Sequence, residues 1–149
     1  MRMLLQRVAH ASVTVEGEVV GRIERGYLVL LGVTHGDDEA TADRLCDKLV
    51  KLRVFPNEQG KFDRSVLDIN GGVLVVSQFT LYGNPKKGNR PSFTDAASPE
   101  VAEPLCAYVV EALKQRGVGS VQTGVFGADM KVELLNDGPV TLMLDSAAL

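Results

Sequence analysis

Two short runs of nearly uninterrupted apolar residues set the first limit on what this chain can fold into. Residues 27–33 read Tyr-Leu-Val-Leu-Leu-Gly-Val, and residues 73–76 read Val-Leu-Val-Val before continuing as Ser-Gln-Phe-Thr-Leu to position 81. Apolar runs of strand length are typical of strands that are covered on both faces. We therefore expect such a strand at 27–33, and a central strand at 73–81 whose far end is polar.

Further strands are predicted on both sides of these runs, where β-branched residues and alternation favour extended backbone. Glu16-Gly17-Glu18 is turn-like, so the strands before and after it are expected to form a hairpin. The additional predicted strands cover 3–8, 11–15, 19–23, 118–123, 131–135 and 140–145.

Two segments carry apolar residues at helical spacing. The first follows the acidic residues 37–39, which complement a helix dipole, and places apolar residues at 42, 45, 46, 49 and 52. The second begins at Ser98-Pro99, which suit the N-cap and first positions of a helix. Pro104 would remove an interior hydrogen bond, so we expect that helix to be kinked or to begin later. The order of elements predicts a mixed α+β domain.

Composition and charge exclude several classes of protein. The chain has 149 residues, 45% apolar and 23% charged, which fits a soluble globular domain rather than a disordered or fibrous chain. Its net charge of −3 argues against a protein that coats nucleic acid through bulk positive charge. No stretch approaches the roughly 20 apolar residues of a membrane span, and the N-terminus lacks a signal-peptide core. We expect a cytoplasmic protein.

Common catalytic and metal-binding motifs are absent from the sequence, which has no Gly-x-Ser-x-Gly elbow, P-loop or Gly-x-Gly-x-x-Gly fingerprint. His10, between two predicted strands, and His35, in a turn, could each be a base, but ordinary polar loop positions explain both better. Residues 37–39 could bind a metal, although a helix start accounts for the same carboxylates. Cys46 and Cys106 lie on apolar helix stripes and are interpreted as core residues rather than nucleophiles.

The polar end of the central strand is the first candidate site. In an extended strand Gln78 and Thr80 would share one face, and Ser77 and Phe79 the other. Hydroxyls and backbone N–H groups at a strand end can receive a carbonyl or a developing oxyanion. A solvated end of an edge strand would show the same pattern, so both interpretations stay open at this point.

The segment 136–141, Asn-Asp-Gly-Pro-Val-Thr, is the second candidate. Asn, Asp and Gly tolerate left-handed backbone, so the pattern predicts a tight turn between two strands. Pro139 lacks a donor, which leaves nearby carbonyls free to face something else. Only about 5–6% of X-Pro bonds are cis in folded proteins, so this pattern alone favours a trans bond and a plain hairpin turn.

Taken together, these segments resemble the D-aminoacyl-tRNA deacylase family. Those at 77–81 and 136–141 are highly specific in combination. The likeness also includes Leu-Gln-Arg-Val at 5–8, Leu-Arg-Val-Phe at 52–55, Arg-Pro-Ser-Phe at 90–93 and Phe-Gly-Ala-Asp-Met at 126–130. It runs over residues 1–149, which we expect to form one domain. In that α+β domain, mixed and antiparallel strands form a barrel-like double sheet with two main helices packed on it.

The resemblance implies a homodimeric editing enzyme that hydrolyses the ester between a D-amino acid and the terminal adenosine of tRNA, without cofactor or metal. It implies that the Gly138-Pro139 bond is cis, and that this dipeptide enters the partner's pocket with its carbonyls beside the substrate's α-carbon. An L-side chain would then clash with these carbonyls, whereas a D-side chain would point away. Glycine has no side chain to clash, so glycyl-tRNA, such as glycine mischarged on tRNA-Ala, is expected to be cleaved too.

Ser77, Gln78, Phe79 and Thr80 are the expected catalytic segment. Thr80 could be the nucleophile, but no base is recognisable near it in sequence. The favoured route uses backbone N–H groups around Gln78 and Phe79 to hold the oxyanion, while the 2′-hydroxyl of the adenosine assists the attack of water. Phe79 is expected to pack on the adenine or shape the pocket, with a core position as the alternative.

Lys86, Lys87 and Arg90 form the densest basic loop and are the expected contacts to tRNA phosphates. A solvated loop without a ligand is the alternative. The family more often has an Asp-Thr pair before its lysine, where this chain has Asn84-Pro85. The expected partner is the acceptor end of D-aminoacyl-tRNA, with no DNA and no membrane.

Other functions stay open from the sequence. A non-catalytic module that binds tRNA or protein is one, and a small-molecule esterase that uses Thr80 as nucleophile is another. A relative that edits other mischarged tRNAs is a third. Phe79 and the segment 136–139 favour the D-specific type.

Overall fold

The computed structural model describes residues 1–149 and contains eight strands, two α-helices and two short 3₁₀ helices. The strands are β1 (Arg2–Val15), β2 (Glu18–Ile23), β3 (Gly26–Gly32), β4 (Phe55–Pro56), β5 (Phe62–Arg64), β6 (Gly72–Ser77), β7 (Ser120–Thr123) and β8 (Lys131–Asp145). The helices are α1 (Glu39–Lys51) and α2 (Pro99–Gln115), and the 3₁₀ helices are Phe79–Tyr82 and Ser146–Ala148. No helix combines the length and the apolar character needed to cross a bilayer.

The long strand β1 organises the sheet because it is paired along both edges. Its first half pairs with β3 and its second half with β2, while β8 runs antiparallel along the opposite edge. On the far side of β3, the strands β6 and β7 continue the sheet in parallel.

The sheet curls until β2 approaches β7, which nearly closes a barrel. Gly21 on β2 lies so close to the carbonyl oxygen of Thr123 on β7 that a Cβ atom there would overlap it. The strands β4 and β5 form a separate two-stranded sheet. The fold confirms the expected α+β class, with mixed strand directions and two main helices on a barrel-like sheet.

Buried apolar residues form two cores on the two faces of the sheet. The larger lies between the sheet and the helices and includes Leu5, Val29 and Leu45. The smaller fills the barrel interior with residues such as Leu28 and Leu74. Because β3 and β6 contribute to both cores, their sequences are nearly continuous apolar runs, as the first pattern predicts.

The helix α1 begins where the sequence predicts, and α2 begins at the earlier of its two expected positions. The Asp38 side chain caps α1 by accepting a bond from the Thr41 N–H at 2.9 Å. The helix α2 starts at Pro99 and contains Pro104 in its interior, so the expectation that it begins later is wrong. Pro104 is the sixth residue of α2, and the helix continues beyond it to Gln115.

Two predicted breaks in strands are absent. Residues 3–8 and 11–15 belong to the single strand β1, which places the exposed His10 within a strand rather than between two. The predicted strands at 131–135 and 140–145 are likewise parts of β8.

The turn predicted at 136–141 is instead a bulge within β8. Asn136 pairs with Val8 and Thr141 with Gln6, so four residues of β8 oppose only one residue of β1. Because of these extra residues, the segment 137–140 takes no part in the pairing of β8 with β1. The bond between Gly138 and Pro139 is cis, as the family resemblance implies and contrary to the expectation from X-Pro bonds in general.

Replacing Gly21 with alanine tests the closure of the barrel. We expect Gly21→Ala to lower the free energy of unfolding by about 1–3 kcal/mol, because its methyl group would force β2 away from β7. Urea denaturation followed by circular dichroism measures this change. The control is Gly119→Ala, where the added atom meets only Asn70 at 3.5 Å. Equal stability of the two variants would contradict the close approach of β2 and β7.

Candidate active site

A cavity of about 660 Å³ opens beside the end of β6, and it is larger than a neighbouring cavity of about 300 Å³. One wall consists of Ser77, Gln78 and Phe79, which follow the buried part of β6. The facing walls come from the segment before α2, from α2 itself, from the segment before β8 and from the start of β8. They contribute Phe93, Ala96, Ala97, Pro99, Ala102, Cys106, Phe126, Gly127, Ala128, Asp129, Met130 and Val132.

The chain leaves the strand at Ser77 and turns into the 3₁₀ helix Phe79–Tyr82. The prediction that strand alternation continues to Leu81 is therefore wrong. Because of the turn, Ser77, Gln78 and Phe79 all line the cavity, whereas Thr80 is exposed and does not. The Gln78 side-chain amide donates a short hydrogen bond to the Thr80 hydroxyl, which ties Thr80 to the turn.

Backbone donors are available at this turn, at Phe79 as expected from the sequence but not at Gln78. The Gln78 N–H donates to the carbonyl of Leu31 at 2.8 Å, so it is already used in holding the turn against β3. The first helical residues, Phe79 and Thr80, have no acceptor for their N–H groups within the helix, because its hydrogen bonds begin at Leu81. The candidate oxyanion donors are thus the N–H of Phe79, which lines the cavity, and the neighbouring N–H of Thr80 at the edge of the lining.

Phe79 is an exposed aromatic residue at the mouth of the cavity rather than a core residue. Its ring is 56% exposed and contacts the Phe93 ring edge-on, with the ring centres 5.1 Å apart. This arrangement leaves more than half of the surface of Phe79 open to a ligand. Phe93 belongs to a segment that carries the family resemblance, but its contact with Phe79 depends on the folded chain.

Cys106 and Asp129 are the titratable side chains that line the cavity. Burial, with a smaller effect of Glu103, raises the pKa of Cys106 to about 11, and burial raises the pKa of Cys46 to about 12. Both thiols therefore stay protonated near neutral pH, as expected of residues that are not nucleophiles. Asp129 is largely exposed and forms an ion pair with Lys131 at 3.1 Å.

The other polar candidates lie outside the cavity. His35 Nε2 contacts the carbonyl oxygen of Thr94 at 2.7 Å, and His10 is exposed on β1. Asp37 accepts a bond from the Thr34 N–H at 2.8 Å, and Asp38 caps α1. Local structure accounts for these carboxylates, and no group of three or more potential ligands is arranged to hold a metal ion.

The Gly138-Pro139 segment is exposed and does not line the cavity of its own chain. Two side chains hold it. Arg7, only 7% exposed, donates to the carbonyls of Asp137 at 2.9 Å and Val54 at 2.6 Å. The Asn136 amide donates to the carbonyls of Arg7 at 3.1 Å and Val140 at 3.0 Å. The bulge is therefore bonded at both ends, while the carbonyls of Gly138 and Pro139 accept no side-chain hydrogen bond.

The basic loop follows the 3₁₀ helix directly. Two backbone hydrogen bonds between Asn84 and Ser92, of 2.7 and 2.8 Å, close the loop at its base. Lys86, Lys87 and Arg90 are exposed on it and form no ion pairs, whereas Arg22 on β2 is paired with a glutamate. Their positive charge is not paired within the chain and is available to a ligand.

These features place the chain in the class of small α+β barrels with one large site at a strand end. Residues 4–145 match the family described as D-Tyr-tRNA(Tyr) deacylase. A D-aminoacyl-tRNA deacylase of Thermomicrobium roseum is 58% identical, covering all of this chain and 96% of the relative. One of Syntrophomonas wolfei is 54% identical, covering all of this chain and 99% of the relative. The chain belongs to this family of ester hydrolases.

Two solved structures have the same fold. One, named c-Myc DNA Unwinding Element Binding Protein, has a TM-score of 0.91 at 41% identity and covers 97% of this chain and 98% of its own. The other, described as a probable eukaryotic D-amino acid tRNA deacylase, has a TM-score of 0.82 at 18% identity and covers 96% and 97%. At that identity the second likeness shows the fold alone.

The pKa of Cys106 predicts a slow reaction with alkylating agents. At pH 8 a thiol whose pKa is about 11 is ionised in about one molecule in a thousand. We expect iodoacetamide to modify the native protein at least tenfold more slowly than the urea-unfolded chain, and the native rate to rise towards pH 11. The variant Cys106→Ser reports the contribution of Cys46. Native Cys106 reacting as fast as an unfolded thiol at pH 8 would contradict the raised pKa.

Proposed function

We propose that this protein hydrolyses the ester of D-aminoacyl-tRNA and releases the free D-amino acid and tRNA. The observation that carries the proposal is a large cavity, lined by Ser77, Gln78 and Phe79, in a chain that belongs to the deacylase family. The volume of about 660 Å³ is ample for an aminoacylated adenosine. The exposure of Phe79 supports stacking with a base, which is a common way to hold an unpaired nucleotide.

The proposed active form is a homodimer. Its support is the exposed apolar surface of β8, where Leu135 is 54%, Met143 47% and Leu142 36% exposed. The strand β8 pairs only with β1, so its other edge is open to a second chain. The position of Gly138-Pro139 outside its own cavity agrees with a role in a partner's cavity.

The proposed basis of chiral selection is a clash with main-chain oxygens. In a dimer, the Gly138 and Pro139 carbonyls would face the α-carbon of the ester bound to the partner. They would exclude an L-side chain and leave room for a D-side chain or for glycine. Gly138 has a φ of 136°, and a Cβ there would meet Val140 at 2.8 Å and Arg7 at 3.0 Å, so another residue would displace the bulge.

The proposed chemistry is attack of water on the ester carbonyl. The oxyanion would be held by the N–H groups of Phe79 and Thr80, and the ester oxygen would leave with a proton as the 3′-hydroxyl of tRNA. The adenosine 2′-hydroxyl is the proposed proton relay, which fits a cavity without a histidine. Thr80 is a poor nucleophile in this geometry because its hydroxyl bonds to Gln78 outside the cavity lining.

Lys86, Lys87 and Arg90 are the proposed contacts to phosphates near the acceptor end. This proposal is supported by three features of these side chains: they are exposed, they form no ion pairs, and they lie on the loop that directly follows the 3₁₀ helix. Such contacts are independent of sequence and weaken with salt. The net charge of −3 argues for few phosphate contacts and against DNA as a partner. With few contacts to the tRNA body, the protein would tolerate many tRNA species. A cytoplasmic location fits this substrate.

Matched D- and L-tyrosyl-tRNA test the proposed function. We expect kcat/KM for the D-ester to exceed that for the L-ester by at least a hundredfold, and glycyl-tRNA to be cleaved at high enzyme concentration. Uncatalysed hydrolysis of each ester is the control. Binding of D-tyrosyl-tRNA without hydrolysis would instead indicate a tRNA-binding module. Cleavage of simple tyrosine esters with indifference to tRNA would indicate a small-molecule esterase.

Thr80→Ala and a tRNA ending in 2′-deoxyadenosine separate the two chemical routes. We expect Thr80→Ala to keep kcat within about threefold, because water and the 2′-hydroxyl supply the attack. The deoxy substrate should lose about a hundredfold or more, the usual contribution of an acid or base group. Thr80→Ser, which keeps a hydroxyl, is the matched control. Loss in Thr80→Ala with full activity on the deoxy substrate would make Thr80 the nucleophile.

A further inference from the structure

We propose that Arg2 is a positioning residue for the hydrolysis, because it ties the turn that carries Phe79 and Thr80 to the end of β8. The inference rests on the proposed function. Arg2 does not line the cavity. Its role follows from its contacts with Leu81 and Tyr82, which belong to the same 3₁₀ helix as Phe79 and Thr80.

One side chain makes three contacts. Arg2 Nη1 donates to the carbonyl oxygen of Leu81 at 2.7 Å, and Nε donates to Asp145 Oδ2 at 3.0 Å. The guanidinium also lies over the Tyr82 ring, 4.6 Å from its centre. Leu81 and Tyr82 are the last two residues of the 3₁₀ helix, so Arg2 holds the end of the turn whose start is in the cavity.

The start of the turn is held by Gln78, through its N–H bond to Leu31 and its side-chain bond to Thr80, whereas Arg2 is the side chain that bonds its end. The turn is four residues long, none of them is buried, and its N-terminus has no side-chain cap. The Leu81 carbonyl is at the last turn, where a helix offers no N–H of its own. Hydrogen bonds from a charged donor to such a group are stronger than neutral ones. Arg2 therefore limits how far the N–H groups of Phe79 and Thr80 can move.

Asp145 fixes the direction of the guanidinium. It is 25% exposed and also accepts a bond from the Ala147 N–H at 2.9 Å. The Ala147 N–H and, less strongly, Arg2 hold the pKa of Asp145 below its usual value, so it is charged at neutral pH. Since Arg2 and Asp145 are also paired residues of β1 and β8, a purely structural role would alter stability rather than turnover.

The test is Arg2→Met, which keeps an unbranched stem against Tyr82 but has no donor. We expect kcat for D-tyrosyl-tRNA to fall about tenfold or more with KM within about twofold, because binding remains while the donors are misplaced. Amide exchange at Leu81 and Gly83, which are bonded within the turn, should become faster. Arg2→Lys should recover part of kcat. The control Arg22→Met removes an exposed arginine of β2 and should change neither quantity.

Unchanged kcat and unchanged exchange in Arg2→Met would overturn the proposal. So would a loss of kcat that follows the unfolded fraction measured at the assay temperature. If Arg2→Met does not fold, Arg2→Lys decides: full activity with wild-type exchange overturns the proposal. Wild-type protein that cleaves no D-aminoacyl-tRNA would overturn the proposed function itself, whereas active wild type with an equally active Arg2→Met overturns only the role of Arg2.

Discussion

The pairing of β1 along both of its edges is the constraint on which the rest of the structure depends. Its 14 residues bond β2 and β3 on one edge and β8 on the other, so one strand sets the position of most of the barrel. Arg2 and Arg7 both extend from this strand, one to the 3₁₀ turn and one to the bulge in β8. The 3₁₀ turn and the bulge, which are about 60 residues apart in the sequence, are therefore both held in place by the same strand.

Local sequence patterns were enough to predict an element of the fold where one physical effect dominates. The apolar run at 27–33 predicts a doubly covered strand because burial on both faces leaves no place for polar residues. Asp38 and the apolar stripe that follows it likewise predict α1. The signal failed at 136–141, because Asn, Asp, Gly and Pro suit a hairpin turn and a bulge equally well, and only the register of β1 against β8 distinguishes them.

At the site too, the sequence identified some of the residues but not their arrangement in space. Ser77, Gln78 and Phe79 could be named from the sequence, but strand alternation assigned them to opposite faces. They line one cavity because the Gln78 N–H bonds Leu31 and the chain then turns into a 3₁₀ helix. Phe93, Phe126 and Met130 were visible only as parts of a family resemblance. No local pattern brings three separate segments to one cavity, since that depends on where the fold places the segments before α2 and before β8 relative to the end of β6.

The proposed selection of D-esters over L-esters requires a rigid main-chain obstacle rather than a pocket that fits one particular side chain. A thousandfold preference requires about 4 kcal/mol between the two esters, and a clash supplies this only if the obstacle cannot retreat. Arg7 meets that demand because it is a buried cation whose Nε and Nη1 donate to main-chain carbonyls on β8 and next to β4. Moving the bulge would strip hydrogen bonds from a buried charge, which costs more than breaking a neutral contact. Because the proposed obstacle is main chain, the identity of the amino acid would matter little, whereas its configuration would decide.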